Sequence, residues 1–183
     1  MEEYVVLVNN QDQEIGQMKK LEAHQTGLLH RAFSVFVFNS KGEILLQKRN
    51  SKKYHSGGLW SNTCCSHPRP GEPVHRAAKR RLMEEMGMKT KLFNAFSFIY
   101  KSHLDNDLIE HELDHVYYGY SNNFPQFNTD EVEAVKYISP EALQLEMLHS
   151  PEMYTEWLKI CLDHLLSHLN INESHEQKSK KSN

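Results

Sequence analysis

The stretch between Pro73 and Gly87, VHRAAKRRLMEEM, constrains the fold most. It opens on a helix-start residue, closes on a helix-stop residue, and sets Val74, Ala77, Ala78, Leu82 and Met86 on one stripe. A helix of this kind holds only against an apolar surface, and the flanking sequence supplies strands to build one. YVVLV (4–8) reads as a strand, and RAFSVFVFNSKGEILLQKR (31–49) as two β-rich runs turned at Asn39-Ser-Lys-Gly42. Trp60 to Cys65 reads as a short strand. LFNAFSFIY (92–100), LIEHELDHVYYGY (108–120) and VEAVKYI (132–138) follow as strands, with a polar loop at 101–107. Ser139-Pro140 and Ser150-Pro151 each combine a cap with a first helical residue, opening helices at about 140–148 and 151–169. The second carries Tyr154, Trp157, Leu158, Cys161, Leu165 and Leu169 on one side and should cover a face of the sheet. The expectation is one α/β (α+β) domain over residues 1–171, then a polar, unstructured tail over 172–183.

A formal charge of -3 removes bulk electrostatic attraction to nucleic acid or anionic membranes, so an anionic partner must be held by a local cluster. The N-terminus, MEEYVVLVNNQ, is acidic where a signal peptide is basic, and no stretch approaches the roughly 20 apolar residues of a membrane span. Of three cysteines, two are adjacent, which is a strained geometry for a disulfide. A reducing, cytoplasmic setting is expected, and oligomeric state is not legible.

The helix carries charges on its apolar face. At 100° per residue Glu85 lies in the middle of the stripe, with Arg81 one turn earlier. One reading is an Arg81–Glu85 pair at the stripe's edge; the other is a carboxylate aimed at a metal, since a buried charge is costly unless paired or coordinated. The spacing Ser66, Glu72, Arg80, Arg81, Leu82, Met83, Glu84, Glu85, Met86, Gly87, Met88 resembles the Nudix box, a loop–helix–loop whose glutamates bind magnesium beside a diphosphate. Two positions depart from it. The leading glycine is Ser66, and Arg81 stands where a metal-binding glutamate is usual, a change that suits holding a diphosphate better than activating water to cleave one.

Period-two alternation in LIEHELDHV puts Glu110 and Glu112 on one face and His111 on the other. The pair suits a shared metal or mutual pKa perturbation, and equally a solvent-facing acidic face. His24 and His30 flank a short segment that, as a loop, could turn both imidazoles inward. If residues 60–67 are extended, Cys65 and His67 share a face while Cys64 points the other way, into the core with Trp60. Most of the other nine of the 12 histidines read as surface residues.

Together, AHQTGLLHRAFSVFVFN (23–39), TCCSHP (63–68), the altered box and EHE (110–112) resemble the type 1 isopentenyl diphosphate isomerase family over nearly the whole chain, to about residue 160. That resemblance implies a Nudix-type fold and interconversion of isopentenyl and dimethylallyl diphosphate. It implies one divalent metal (manganese, zinc or magnesium) on His24, His30, His67, Glu110 and Glu112, and a magnesium bridging Glu85, the Cys65 carbonyl and the diphosphate. It also implies proton transfer by Cys65 and Glu112 from opposite faces of the substrate, with Tyr100 beside the glutamate as donor or relay. Lys20, Arg49, Lys53 and Arg81 would hold the diphosphate, with Lys19 and Lys52 as one-residue alternatives, and Trp157 would serve as a lid whose π face meets a carbocation. Cys65 would need its thiolate favoured by nearby cations to act as a base. Two rivals compete: a Nudix hydrolase, disfavoured by Arg81, and a non-catalytic Nudix-like or zinc-stabilised module, which lacks a second cysteine pair.

Overall fold

A computed structural model describes residues 3–180, with side chains described through residue 170. The expected strands are present, except that the one read over residues 60–65 is broken at Asn62-Thr63 into two short strands. β1 (Tyr4–Val8) and β2 (Glu14–Lys19) form a hairpin, and α1 (Lys20–Thr26) follows directly. β3 (His30–Phe38) and β4 (Ile44–Arg49) flank a turn in which the Asn39 side chain accepts from the backbone N–H of Lys41 and Glu43, and Gly42 takes φ +77°. Beyond lie β5 (Trp60–Ser61), β6 (Cys64–Ser66), α2 (Val74–Met86), β7 (Leu92–His103), β8 (Ile109–Tyr120), β9 (Val132–Ile138), α3 (Pro140–His149) and α4 (Glu156–Lys180).

At the centre β3 runs parallel to β8, pairing His30 with Glu112 and continuing to Phe38 with Tyr120. β6 joins the other edge of β3 antiparallel, and β7 joins β8 antiparallel. β4 pairs with β9 and β5 but touches β3 only at Phe38–Ile44, so the sheet splits beyond the turn. Both faces are covered, as the apolar run of β3, broken only by the buried Ser34, requires. Phe33, Val35 and Val37 pack with Cys64 against Ala77, Ala78, Leu82 and Met86 of α2. Phe36 and Phe38 pack with Val116 against Leu143 of α3 and Leu158, Cys161, Leu162 and Leu165 of α4.

Three expectations need correction. Residues 101–103 continue β7 and are not loop. The last long helix starts at Glu156, after a single 3-10 turn at Pro151–Met153, because Tyr154 and Thr155 are extended and bridge to Trp60. The helix bounds extend to Lys180; the side chains of residues 171–180 and all of residues 181–183, where an unstructured tail is expected, lie outside the described residues. Finally, Cys64 and Trp60 enter different cores: Cys64 lies under α2, while Trp60 packs toward α3 and α4.

Candidate active site

His24 and His30 come from a helix and a strand, not from a shared loop. α1 is closed by Gly27 at φ +64°, which turns the chain into β3 and brings the two rings to 4.8 Å between centroids. Each ring is aimed by its Nδ1, which donates to a main-chain carbonyl: Lys20 at 2.6 Å from His24, Leu28 at 2.8 Å from His30. Both Nε2 atoms therefore face inward. Glu112 arrives because β8 pairs with β3 at His30, and Glu110 lies two residues back on the same face; His111 points away to the Gly27 carbonyl at 2.9 Å. His67 follows β6, with its Nε2 2.7 Å from Glu112 Oε1.

One donor atom from each of His24, His30, His67, Glu110 and Glu112 lies within 4.8 Å of all the others. Buried and without hydrogen-bond partners are His24 Nε2, His30 Nε2, His67 Nδ1 and Glu110 Oε2. Orphaned buried polar atoms are rare in a native interior, and here they converge. Three imidazoles and two carboxylates suit a divalent cation such as manganese, zinc or magnesium, and the residues fit the group. Burial pushes the His67 imidazole down to about 3 against the opposing pull of Glu112, and it lowers His24 as well. Both therefore present lone pairs at neutral pH. The carboxylates are driven apart. Burial and then the neighbouring Glu112 charge raise Glu110 well above the carboxylate range. Burial also acts to raise Glu112, but the adjoining imidazoles of His30 and His67 outweigh it and hold that carboxyl well below.

Tyr100, opposite Glu112 in the β7–β8 ladder, donates its hydroxyl to Glu112 Oε2 at 2.6 Å. Cys65 pairs with Ser34 in the β3–β6 ladder and faces the cavity, while Cys64 is fully buried beneath α2; all three cysteines are free. The Cys65 thiol has Arg49 Nη1 and Ser61 Oγ at 3.9 Å. Burial pushes it up to about 12 despite Arg49, so the expected promotion of the thiolate by cations does not prevail in this structure.

The cavity is lined by Cys65, His67, Glu110, Glu112, Lys20, Arg49, Lys53, Arg81 and Trp157, together with Ser34, Tyr54 and His55. Of the alternative pairs, Lys20 and Lys53 line it; Lys19 and Lys52 do not. The cations are pre-paired. Lys20 meets Glu3 at 3.0 Å, Lys53 meets Glu131, and Arg81 bonds Glu85 at 2.6 Å and Glu131 at 3.2 Å. The two readings of Arg81 and Glu85 thus combine in one buried pair, with Glu85 2% exposed. Gln47 donates to its other oxygen at 2.9 Å, so no orphaned atom marks a second cation position there.

Trp157 forms one wall of the cavity. Its Nε1–H donates to Ser61 Oγ at 2.9 Å and Asn62 Oδ1 at 3.1 Å, and the Arg49 guanidinium already sits 5.1 Å from its ring. Among the lining and supporting residues that sequence reasoning missed are Gln47, Ser61, Asn62, Glu131 and His55. The last is an exception to the surface reading of most remaining histidines: it is 5% exposed. Its only sequence signal is a place beside Gly57-Gly58 in the loop ahead of β5.

The chain matches the NUDIX domain over residues 28–158. It is 48% identical to isopentenyl-diphosphate Delta-isomerase 2 of Aromatoleum aromaticum, covering 94% of this chain and 91% of that one. It is 52% identical to isopentenyl-diphosphate Delta-isomerase of Pectobacterium atrosepticum, covering 85% and 87%. Among solved structures, a Deinococcus radiodurans protein superposes with a TM-score of 0.74 at 20% identity over 89% of this chain and 99% of that one. A MutT protein from Methanosarcina mazei does so with 0.63 at 18% identity over 79% and 95%. These two support the fold alone.

Proposed function

The chain belongs to the isopentenyl-diphosphate Delta-isomerase family of NUDIX domain proteins, and we propose that its cavity moves the double bond of isopentenyl diphosphate by paired proton transfers at Cys65 and Glu112. The enzyme interconverts isopentenyl and dimethylallyl diphosphate. The terminal alkene carbon gains a proton and the allylic carbon on the far side of the resulting cation loses one, so no bond to phosphorus breaks and no redox partner is needed. The observation that carries the reading is a single cavity lined by a thiol, a tyrosine-bound carboxylate and four cations.

Lys20, Arg49, Lys53 and Arg81 bind the diphosphate. Because Glu3 and Glu131 already pair three of them, the substrate exchanges carboxylate partners for phosphate oxygens and leaves fewer buried charges exposed between turnovers. A magnesium ion accompanying the diphosphate would be held by Glu85 only if it displaced Arg81 or Gln47, which occupy its two oxygens. Tyr100 orients Glu112 and can pass it a proton at Oε2, while Cys65 holds the other proton position across the cavity. A divalent cation on His24, His30, His67, Glu110 and Glu112 would supply a fixed positive charge that tunes Glu112. Trp157 and Tyr54 keep water from the hydrocarbon end, where a carbocation would otherwise be captured.

Proton NMR of isopentenyl diphosphate with the enzyme in heavy water is expected to show dimethylallyl diphosphate, deuterium incorporation and no phosphate release. Phosphate release without isomerisation would establish hydrolysis instead.

A further inference from the structure

The donors around the carboxylate pair are asymmetric. Each glutamate has one oxygen among the convergent ligand atoms and one turned outward. Glu112's outer oxygen is held by the Tyr100 hydroxyl at 2.6 Å. Glu110 turns Oε2 toward His24 Nε2, 3.3 Å away, and that oxygen is among the orphaned atoms. Its Oε1 faces His55 Nε2 at 3.6 Å, slightly beyond hydrogen-bond length.

The loop carrying His55 is built to hold that ring in place. The imidazole stacks on His24 at 5.6 Å and 29°, and meets the rings of Tyr54 at 4.4 Å and Trp157 at 6.1 Å edge-on. Its Nδ1 faces Ser56 Oγ at 3.3 Å. Arg49 donates to the carbonyls of His55 and Ser56 at 3.3 and 3.2 Å, and Asp105 accepts from the Ser56 N–H at 3.1 Å. These bonds hold Ser56 at φ +50°, a conformation a non-glycine residue keeps only when its surroundings impose it.

We propose that His55 is a positioning residue for the metal centre: its Nε2–H donates to Glu110 Oε1, while Ser56 Oγ donates to Nδ1 and fixes that tautomer. The inference rests on the reading of the five-residue cluster as a divalent-metal site. A carboxylate with one oxygen for a metal and the other on an imidazole N–H is better oriented than one free to rotate, and removing such a partner typically weakens metal binding by about 10–100-fold. His55 thus does for Glu110 what Tyr100 does for Glu112. The two atoms lie 3.6 Å apart, so the bond requires them to approach by a few tenths of an ångström, to about 3.2 Å.

The test compares manganese affinity of the wild type, His55→Phe and His55→Gln by titration of free manganese followed by EPR. His55→Phe keeps the aromatic packing without the donor and is expected to lose about tenfold or more. His55→Gln places an amide N–H near the same position and should stay within about fivefold, the worth of one ordinary hydrogen bond. Nitrogen-15 NMR of the zinc-loaded wild type should show His55 protonated on Nε2, a readout that does not depend on any variant folding. Undiminished affinity in His55→Phe, or a proton on Nδ1, would overturn the assignment of His55 alone. A wild type that takes up neither manganese nor zinc would overturn the metal reading itself.

Discussion

Cys64 and Cys65 share a peptide bond and almost nothing else. Strand geometry turns one under α2, where it is fully buried among Phe33, Val35 and Leu82, and the other toward Arg49 and Ser61 in the cavity. Both thiols are raised by burial, Cys64 well above the usual value and Cys65 to about 12, so reactivity cannot be ranked on pKa; position does it. Cys65→Ala and Glu112→Gln are each expected to lower kcat by at least about 10³-fold with the fold intact, since general acid–base groups contribute roughly 10²–10⁴. Cys64→Ala should retain turnover and lose about 1–2 kcal/mol of stability through the small cavity left in a packed core. Steady-state kinetics and urea unfolding of the three variants check this, and full turnover by Cys65→Ala would remove that residue from the mechanism. The opposite pointing of the two side chains was legible in the sequence because alternation is a property of any strand. The pairing of Arg81 with Glu131 was not, because nothing local connects residues 50 positions apart.

At the scale of elements, legibility followed periodicity. β3, β8 and α2 carry long apolar patterns and fall where those patterns place them. β2 and α1, with EIGQMK and KLEAHQT, carry little apolar signal; one is an edge strand and the other has seven residues, and tertiary contacts decide both. Yet α1 brings His24 to the cluster, so the part of the site least visible in the pattern rests on the least patterned element. The end of α2 shows the reverse case, a stop signal that is also a packing requirement. Gly87 takes φ +62° and its N–H closes on Met83, as a helix C-cap does. A Cβ there would lie 2.4 Å from the Gln126 carbonyl oxygen, in the segment whose next bond, Asn128 N–H to the Glu85 carbonyl, fixes Glu85 in place. Gly87→Ala is therefore expected to cost about 2–4 kcal/mol, combining left-handed strain with overpacking. Thermal unfolding reads the loss, and an unchanged midpoint would show that the 126–128 segment yields freely.

For the whole molecule, the question is what ties the fold to its metal. Two buried imidazoles, a partly buried third and two buried carboxylates converge from α1, β3, β8 and the loop after β6, so a cation held there joins elements far apart in the chain. Binding to the native state alone stabilises by RT ln(1 + [L]/Kd), about 2.7 kcal/mol at a hundredfold excess over Kd. The pH dependence of that gain separates the ligands. His67, at about 3, is neutral in the folded protein throughout the range from pH 5.5 to 7.5, so it contributes no proton for a metal to displace there. Glu110 is different: burial and the Glu112 charge raise its folded pKa above the unfolded value, so the folded state holds a proton that the cation must release. Without metal, that raised carboxyl favours the fold at low pH and loses its contribution as pH climbs through the folded value; with metal the requirement for an ionised Glu110 reverses the sign. His67 acts oppositely in the metal-free protein, since an imidazole lowered from about 6.5 makes stability rise with pH between about 3 and 6.5. Manganese should accordingly bind more tightly, and raise the melting temperature more, at pH 7.5 than at pH 5.5, with net proton release on binding. Calorimetry in two buffers of different ionisation enthalpy measures that release directly; affinity and proton count that stay flat across the range would mean Glu110 is already ionised and that the two carboxylates share the site without the asymmetry their surroundings impose.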